Sequence, residues 1–178
     1  MEKKQNNSLL ADVKWLLLKI LLLGIIFAVV WIFLLGICRN DDEAMNPAIR
    51  AGDLVIYDRI TQEYHTGDVV VIKQDGGRQI RRVAAVSGDV VDVTEEGLSV
   101  NGYQQREADI YTETLPYKDG IDYPLTVGDG QVFVLGDNRN HSQDSRDPYV
   151  GVLKRSDLMG RAFVRIYPLN KFGVIKHE

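Results

Sequence analysis

The longest apolar stretch of the chain lies near its N-terminus. Nineteen residues without a charge or a proline run from Ile20 to Cys38, and as a helix they span roughly the 30 Å hydrocarbon core of a bilayer. The small residues that precede the cleavage point of a secretory signal peptide are missing from its end. The pattern therefore predicts an uncleaved transmembrane anchor over residues 15–38, with Lys19 reaching back to the membrane surface.

Beyond the anchor, the pattern changes to short apolar or alternating runs separated by Gly and Asp. Many are rich in Val and Ile, which favour strands, and no sustained helical period follows residue 40. The sequence predicts one mainly β domain over residues 39–178. The predicted strands are Leu54–Tyr57, Asp68–Lys73, Ile80–Val86, Val90–Val93, Leu98–Val100, Gln131–Leu135 and Gly160–Ile166. Turn signals separate them at Ala51–Asp53, Thr66–Asp68, Asp75–Gly77, Ser87–Asp89 and Asn101–Gly102.

Two segments need their own interpretation. Arg81 and Arg82 interrupt an apolar run, and because side chains alternate along a strand, we expect one to face a core or cleft and the other solvent. The polar segment Tyr103–Leu125 is predicted to be a long surface loop with its tyrosines packed beneath it.

Charge indicates the orientation of the anchor and limits the partners. Four lysines precede the apolar stretch or lie at its start, whereas acidic residues follow Arg39 at once. The positive-inside rule then places residues 1–14 in the cytoplasm and the β domain outside the cell membrane. Beyond residue 38 there are 17 Lys and Arg against 23 Asp and Glu, a formal charge of −6, so nucleic acid is a poor candidate partner. The three histidines, His65, His141 and His177, lie far apart in sequence, and we expect no metal and no cofactor.

Three motifs carry a resemblance to a known family. The first motif is Glu43–Ile49, E-A-M-N-P-A-I, which is followed by the predicted strand segment Gly52–Val55. The second motif is Ile80–Asp89, I-R-R-V-A-A-V-S-G-D. The third motif is Gly136–Arg146, G-D-N-R-N-H-S-Q-D-S-R. In order and spacing they resemble the motifs of the type I signal peptidases, family S26, and the third matches almost residue for residue. These are membrane serine peptidases that release signal peptides.

The resemblance implies a signal peptidase I-like β domain on one transmembrane helix, and it assigns the site positions. Ala44 stands at the position of the family's nucleophilic serine, and Arg81 stands at the position of its general-base lysine. Asp42 stands where some members place a hydroxyl that stabilises the oxyanion. The resemblance gives supporting roles to Met45, Pro47, Ser142, Asp144 and Arg146, with Asp144 and Arg146 as a structural ion pair.

Neither substituted residue can perform the family's chemistry. The methyl group of Ala44 cannot form an acyl intermediate. The guanidinium of Arg81 stays protonated in proteins and cannot accept the proton of a nucleophile. Two alternatives remain open: Ala44 is an engineered substitution, which the second change at Arg81 argues against, or activity has moved to Ser142 or Ser145 beside His141.

Two functions of different class follow from these residues. The resemblance is closest to signal-peptidase-like proteins of Gram-positive bacteria that lack the catalytic pair and assist pilus assembly, which implies secreted or pilin peptides, pilus subunits or sortase as partners. The competing function is a signal peptidase that cleaves preproteins; a vestigial protein without a ligand is a third. Asp42 and Arg81 either pair across the site or leave Arg81 to hold an acidic group of a substrate.

Overall fold

The computed structural model describes residues 2–74, 77–105 and 112–177. The chain separates into two compact units, Met1–Gly36 and Ile37–Glu178, each described here by itself. In the first unit, helix α1 covers Glu2–Leu34. Its 23-residue part Asp12–Leu34 is long and apolar enough to cross a membrane, which fits a single-pass anchor.

The helix ends earlier than the sequence predicts. Leu35–Cys38, which we expected to complete the transmembrane helix, belong instead to the first strand, β1, Leu35–Arg39. An apolar run without breaks satisfies a helix and a buried strand equally well. Here strand β2 lies beside β1 in the sheet and provides the backbone hydrogen bonds.

Among the described residues of the second unit, strands are the main regular elements. After β1 they are β2 Leu54–Asp58, β3 Val69–Gln74, β4 Gly77–Val86, β5 Val90–Thr94, β6 Gly97–Val100, β7 Tyr103–Gln104, β8 Leu125–Thr126, β9 Gln131–Leu135, β10 Leu153–Lys154, β11 Leu158–Tyr167 and β12 Gly173–Val174. Three single-turn 3-10 helices cover Arg139–His141, Arg155–Asp157 and Leu169–Lys171. The mainly β prediction is confirmed, and all seven predicted strands form within three residues of their expected bounds.

The strands form two sheets. The larger has the order β1-β2-β11-β3-β4-β9-β10, with β12 also paired to β11, and the smaller has the order β7-β6-β5-β8. Strands β7 and β8 occur at the two ends of the predicted loop Tyr103–Leu125. Part of that loop, residues 106–111, and residues 75–76 of the turn predicted at Asp75–Gly77 lie outside the described residues.

Strand β3 forms the centre of the core. Val69 and Val71 pack into one apolar cluster, whereas Val70 and Ile72 pack into a second cluster on the opposite face. All four side chains are fully buried, and burial of an aliphatic side chain of this kind stabilises the fold by about 1.5–3 kcal/mol. The continuous V-V-V-I run of this strand thus reflects burial on both faces.

We expect Gly160→Ala to destabilise the domain. The φ of Gly160 is +151°, and a β-carbon there would lie 1.6 Å from the carbonyl oxygen of Asp58 on β2. The backbone of β11 or β2 must shift, so the free energy of unfolding should fall by at least about 2 kcal/mol in urea titrations followed by circular dichroism. Gly173→Ala is the control, because no atom lies within 4 Å of a β-carbon there; equal effects of the two substitutions would contradict the expectation.

The thiol of Cys38 should be almost inert at neutral pH. Cys38 is 2% exposed, and burial raises the pKa of its thiol to about 11, although the guanidinium of Arg78 acts in the opposite direction. Since the thiolate is the reactive form, we expect iodoacetamide to alkylate the folded chain at least about 100-fold more slowly than the unfolded chain. The rate should rise as the pH approaches 11. Comparable rates in buffer and in urea, measured by mass spectrometry, would exclude a buried thiol.

Candidate functional site

The loop that follows β1 is closed at its base by Asn40. The backbone N–H of Asn40 donates to the carbonyl oxygen of Asp53 at 2.8 Å, and its carbonyl oxygen accepts from the N–H of Gly52 at 2.7 Å. Its side-chain amide donates to the carbonyl oxygens of Asp42 and Ile49, at 2.9 and 3.3 Å. One buried asparagine therefore fixes both ends of the loop that carries the first motif.

Ala44, Met45 and Pro47 lie on this loop in different surroundings. Met45 is fully buried and packs with Val71 in the core, whereas Pro47 is exposed. Ala44 is also fully buried, and its carbonyl oxygen accepts from the backbone N–H of Asn138 at 2.8 Å. The third motif thus holds the first in place at Ala44.

Arg81 projects from β4 into the same region and is only 1% exposed. Its Nε donates to the carbonyl oxygen of Gln143 at 2.9 Å, and its Nη2 donates to Oε1 of Gln79 at 3.0 Å. Its Nη1 donates to Oδ2 of Asp42 at 2.9 Å and to the carbonyl oxygen of Ile80 at 2.6 Å. A buried guanidinium requires both a counter-charge and acceptors for its N–H groups, and this site supplies both.

Asp42 connects Arg81 to the backbone at Ala44. While one carboxylate oxygen pairs with Arg81, the other accepts from the backbone N–H of Ala44 at 3.1 Å. The structure therefore contains the first of the two arrangements that the sequence left open, an ion pair across the site. The backbone N–H of Ala44 therefore already donates a hydrogen bond to a negatively charged carboxylate.

Arg82, the next residue on β4, is only 20% exposed, so the expectation that one of the two arginines faces solvent is wrong. Its Nε and Nη2 donate to the two carboxylate oxygens of Asp137, each at 2.8 Å. Its Nη1 donates to the carbonyl oxygen of Gly67 at 3.0 Å. Arg82 therefore joins the start of the third motif to β4.

Asp144 and Arg146 form a buried ion pair within the third motif. Arg146 Nε lies 2.9 Å from Asp144 Oδ1, and the two side chains are 2% and 0% exposed. Asp144 also accepts from the N–H of Gly136 at 3.1 Å. Arg146 donates to the carbonyl oxygens of Arg139 and Leu115 at 2.6 and 3.1 Å. The pair joins the two ends of the motif to the polar loop that precedes β8.

Two tyrosines of that loop, Tyr117 and Tyr123, are partly buried, whereas Tyr103 is exposed and Tyr111 lies outside the described residues, so the predicted packing holds for only part of the set. The guanidinium of Arg146 lies 4.5 Å from the ring centroid of Tyr117, whose hydroxyl donates to the carbonyl oxygen of Ser142. Burial raises the pKa of Tyr117 and of Tyr123. Burial also acts to lower the pKa of Arg146, but the hydrogen bond and charge of Asp144 outweigh it and raise that pKa. Neutral phenols and the cations of Arg146 and Arg139 thus help to hold the loop.

Ser142 lies close to Ala44. A β-carbon at Gly136 would lie 2.2 Å from Ser142 Oγ and 2.6 Å from the carbonyl oxygen of Ala44, so all three groups meet at one point. Ser142 is 6% exposed, and its hydroxyl has no hydrogen-bond partner among the described residues. The predicted residues Asp42, Ala44, Arg81 and Ser142 are therefore brought together, with the Asp144–Arg146 pair beneath them.

Sequence reasoning missed three contributors, Gln79, Gln143 and Asn138. Gln79 lies two residues before Arg81 on the same strand face, so strand alternation could have identified it. Asn138 and Gln143 act at Ala44 and Arg81 through their backbone groups. Backbone contacts of this kind leave no signal in side-chain type.

Comparisons with known proteins found chains similar to this one. The chain is 33% identical over 147 residues to the probable signal peptidase I-2 of Synechocystis sp., an alignment that covers 76% of this chain and 64% of the relative. It is 28% identical over 141 residues to signal peptidase I S of Bacillus subtilis, covering 74% and 76% of the two chains. A crystal structure of a signal peptidase I from Enterococcus faecalis V583 matches with a TM-score of 0.45 at 26% identity, over 56% of this chain and 96% of that one.

The family match extends over most of the chain. A sequence model of the family described as signal peptidase, peptidase S26, matches residues 13–167. This range begins within α1 and ends with β11, so it includes the first motif, both arginines of β4 and the whole third motif. The chain therefore belongs to the signal peptidase family, peptidase S26.

Proposed function

We propose that this chain is a membrane-anchored signal peptidase homologue that binds a secreted or pilin peptide without cutting it and assists pilus assembly. The observation that carries the proposal is the ion pair between the buried Arg81 and the partly exposed Asp42 beside Ala44. Three requirements of acyl transfer are unmet at that point. Ala44 carries no nucleophile, Arg81 cannot accept a proton, and a carboxylate holds the N–H where negative charge would develop.

A site that cannot cut a peptide can still hold one. β1 is an end strand of the larger sheet, and β4 pairs with β9 only from Arg82 onward. Backbone groups of these two edges can bind an extended peptide as an added strand. In this proposal the domain binds the peptide in an extended form.

The proposal places residues 1–14 in the cytoplasm and the β domain outside, on the strength of the lysines that precede the span. The link to pilus subunits or a sortase rests on the resemblance to degenerate signal-peptidase-like proteins of Gram-positive bacteria. A secreted preprotein as the bound partner is supported by the names of the relatives, which are signal peptidases.

One observation favours a second candidate, a signal peptidase with a relocated nucleophile. The hydroxyl of Ser142 is buried, has no partner among the described residues and lies beside the Ala44 carbonyl group. A base is also required, and Arg81, which donates to the carbonyl oxygen of the neighbouring Gln143, cannot serve. The two candidates therefore differ in whether the natural chain cleaves a peptide at all.

The first test restores the missing pair. We expect the full chain in detergent to leave a preprotein peptide intact, and the Ala44→Ser/Arg81→Lys double variant to cleave it, because serine and lysine supply nucleophile and base. Each single variant is the control and should be at least about 100-fold slower than the double variant. Cleavage is read by mass spectrometry. Cleavage by the natural chain, abolished by Ser142→Ala, would establish the second candidate instead.

A second test concerns Asp42. In the double variant, Asp42→Ser removes the carboxylate that holds the N–H of residue 44, and offers a hydroxyl to the developing oxyanion. We expect its rate of cleavage to rise by about 10-fold or more. Asp41→Ser, at an exposed neighbouring carboxylate, is the matched control and should have no such effect. Equal rates in the two triple variants would show that Asp42 does not hinder the reaction.

A further inference from the structure

Two strand edges border the candidate site and lack a partner strand among the described residues. One is the outer edge of β1, since β1 is the last strand of its sheet on that side. The other is the first half of β4, before it meets β9 at Arg82. Along an antiparallel strand the N–H and C=O of one residue point the same way, and successive residues point to alternate sides. The direction of each edge group can therefore be assigned.

On β1 the outward groups belong to Ile37 and Arg39. Asn40 makes both of its backbone hydrogen bonds on the β2 side, to Asp53 and Gly52. Alternation then directs the backbone groups of Ile37 and Arg39 away from β2. These groups are the ones that an added strand would use on this side.

On β4 the corresponding groups belong to Arg78 and Ile80. Val83 exchanges its backbone bonds with Gly67 and Asp68, on the β3 side. Arg82 therefore faces β9, and alternation directs the backbone groups of Ile80 and Arg78 to that same side, beyond the end of β9. These groups form the second edge. We call the space between the two edges the peptide groove, or simply the groove.

On each edge, an arginine side chain donates a hydrogen bond to a backbone carbonyl oxygen. Arg78 Nη1 donates to the carbonyl oxygen of Ile37 at 3.1 Å, which joins β4 to β1 across the groove. Arg81 Nη1 donates to the carbonyl oxygen of Ile80 at 2.6 Å. Two acceptors that a peptide strand would need are therefore already used by the protein's own side chains.

We propose that these two arginines close the peptide groove in the free protein, and that Arg78 is the residue an entering peptide displaces. This inference rests on the proposed peptide-binding function. Arg78 is exposed and reaches Ile37 through an exposed hydrogen bond, whereas Arg81 is buried and holds four acceptors. An exposed hydrogen bond is readily exchanged for water, but extraction of a buried, paired guanidinium costs several kcal/mol. An entering peptide can therefore displace the Arg78 side chain, whereas the Arg81 side chain stays in place.

The test compares Arg78→Ala with Lys73→Ala in the full chain in detergent. Lys73 lies opposite Arg78 in the β3–β4 register and is exposed, so its removal lowers the local charge equally without removing the bond to Ile37. The probe is a fluorescein-labelled signal peptide ending in Ala-Gln-Ala, and binding is read by fluorescence anisotropy. The carbon-13 signal of the Ile37 carbonyl reports the bond itself without any peptide.

We expect Arg78→Ala to shift the Ile37 carbonyl signal and to bind the peptide about 5-fold more tightly than the natural chain, whereas Lys73→Ala changes neither. If the natural chain binds the peptide and Arg78→Ala binds it no better, the closure is refuted while the proposed function stands. If the Ile37 signal does not respond specifically to Arg78→Ala, the closure is refuted whatever the peptide does. If the signal responds but no variant binds the peptide, the proposed function fails and the role of Arg78 as its competitor fails with it.

Discussion

The charge of Arg81 must be balanced inside the protein, and the arrangement of the site follows from that requirement. A guanidinium with 1% exposure cannot give up its proton and receives little help from water. It is held by a carboxylate from the loop after β1, a carbonyl from the third motif and an amide from its own strand. Removing the Asp42 carboxylate would leave the buried charge of Arg81 without its counter-charge.

The third motif joins the other elements of the site through backbone contacts and ion pairs. Asn138 holds the carbonyl group of Ala44, and Asp137 holds Arg82 on β4. The buried Asp144–Arg146 pair draws in Gly136 and the loop at Leu115. None of these contacts requires a serine nucleophile or a lysine base. These contacts stabilise the fold whether or not a chain that carries the motif cleaves peptides. The motif is therefore evidence of the fold as much as of an activity.

The sequence was sufficient for the long strands and insufficient where local pattern is weak. Val69–Ile72 and Gln131–Leu135 are continuous apolar runs bounded by turn residues, and both were located. Leu35–Cys38 continue the apolar run of the helix, so the transition to β1 was invisible, and two-residue strands such as Leu125–Thr126 have no period to detect. At the site, the motifs identified Ala44 and Arg81 as partners in position. The sequence left the pairing of Arg81 with Asp42 as one of two arrangements, because this hydrogen bond depends on a loop conformation that Asn40 fixes.

The position of β11 in the sheet affects how the domain folds during synthesis. This strand lies between β2 and β3 in the larger sheet, yet it is the last long strand of the chain, about a hundred residues after β2. Strands β2 and β3 cannot pair with β11 until residues 158–167 have been synthesised. Pairing of strands so far apart in sequence closes a long loop and is slow. During synthesis β2 can pair with β1 and β3 with β4, but β2 and β3 each keep one edge unpaired until β11 has been made.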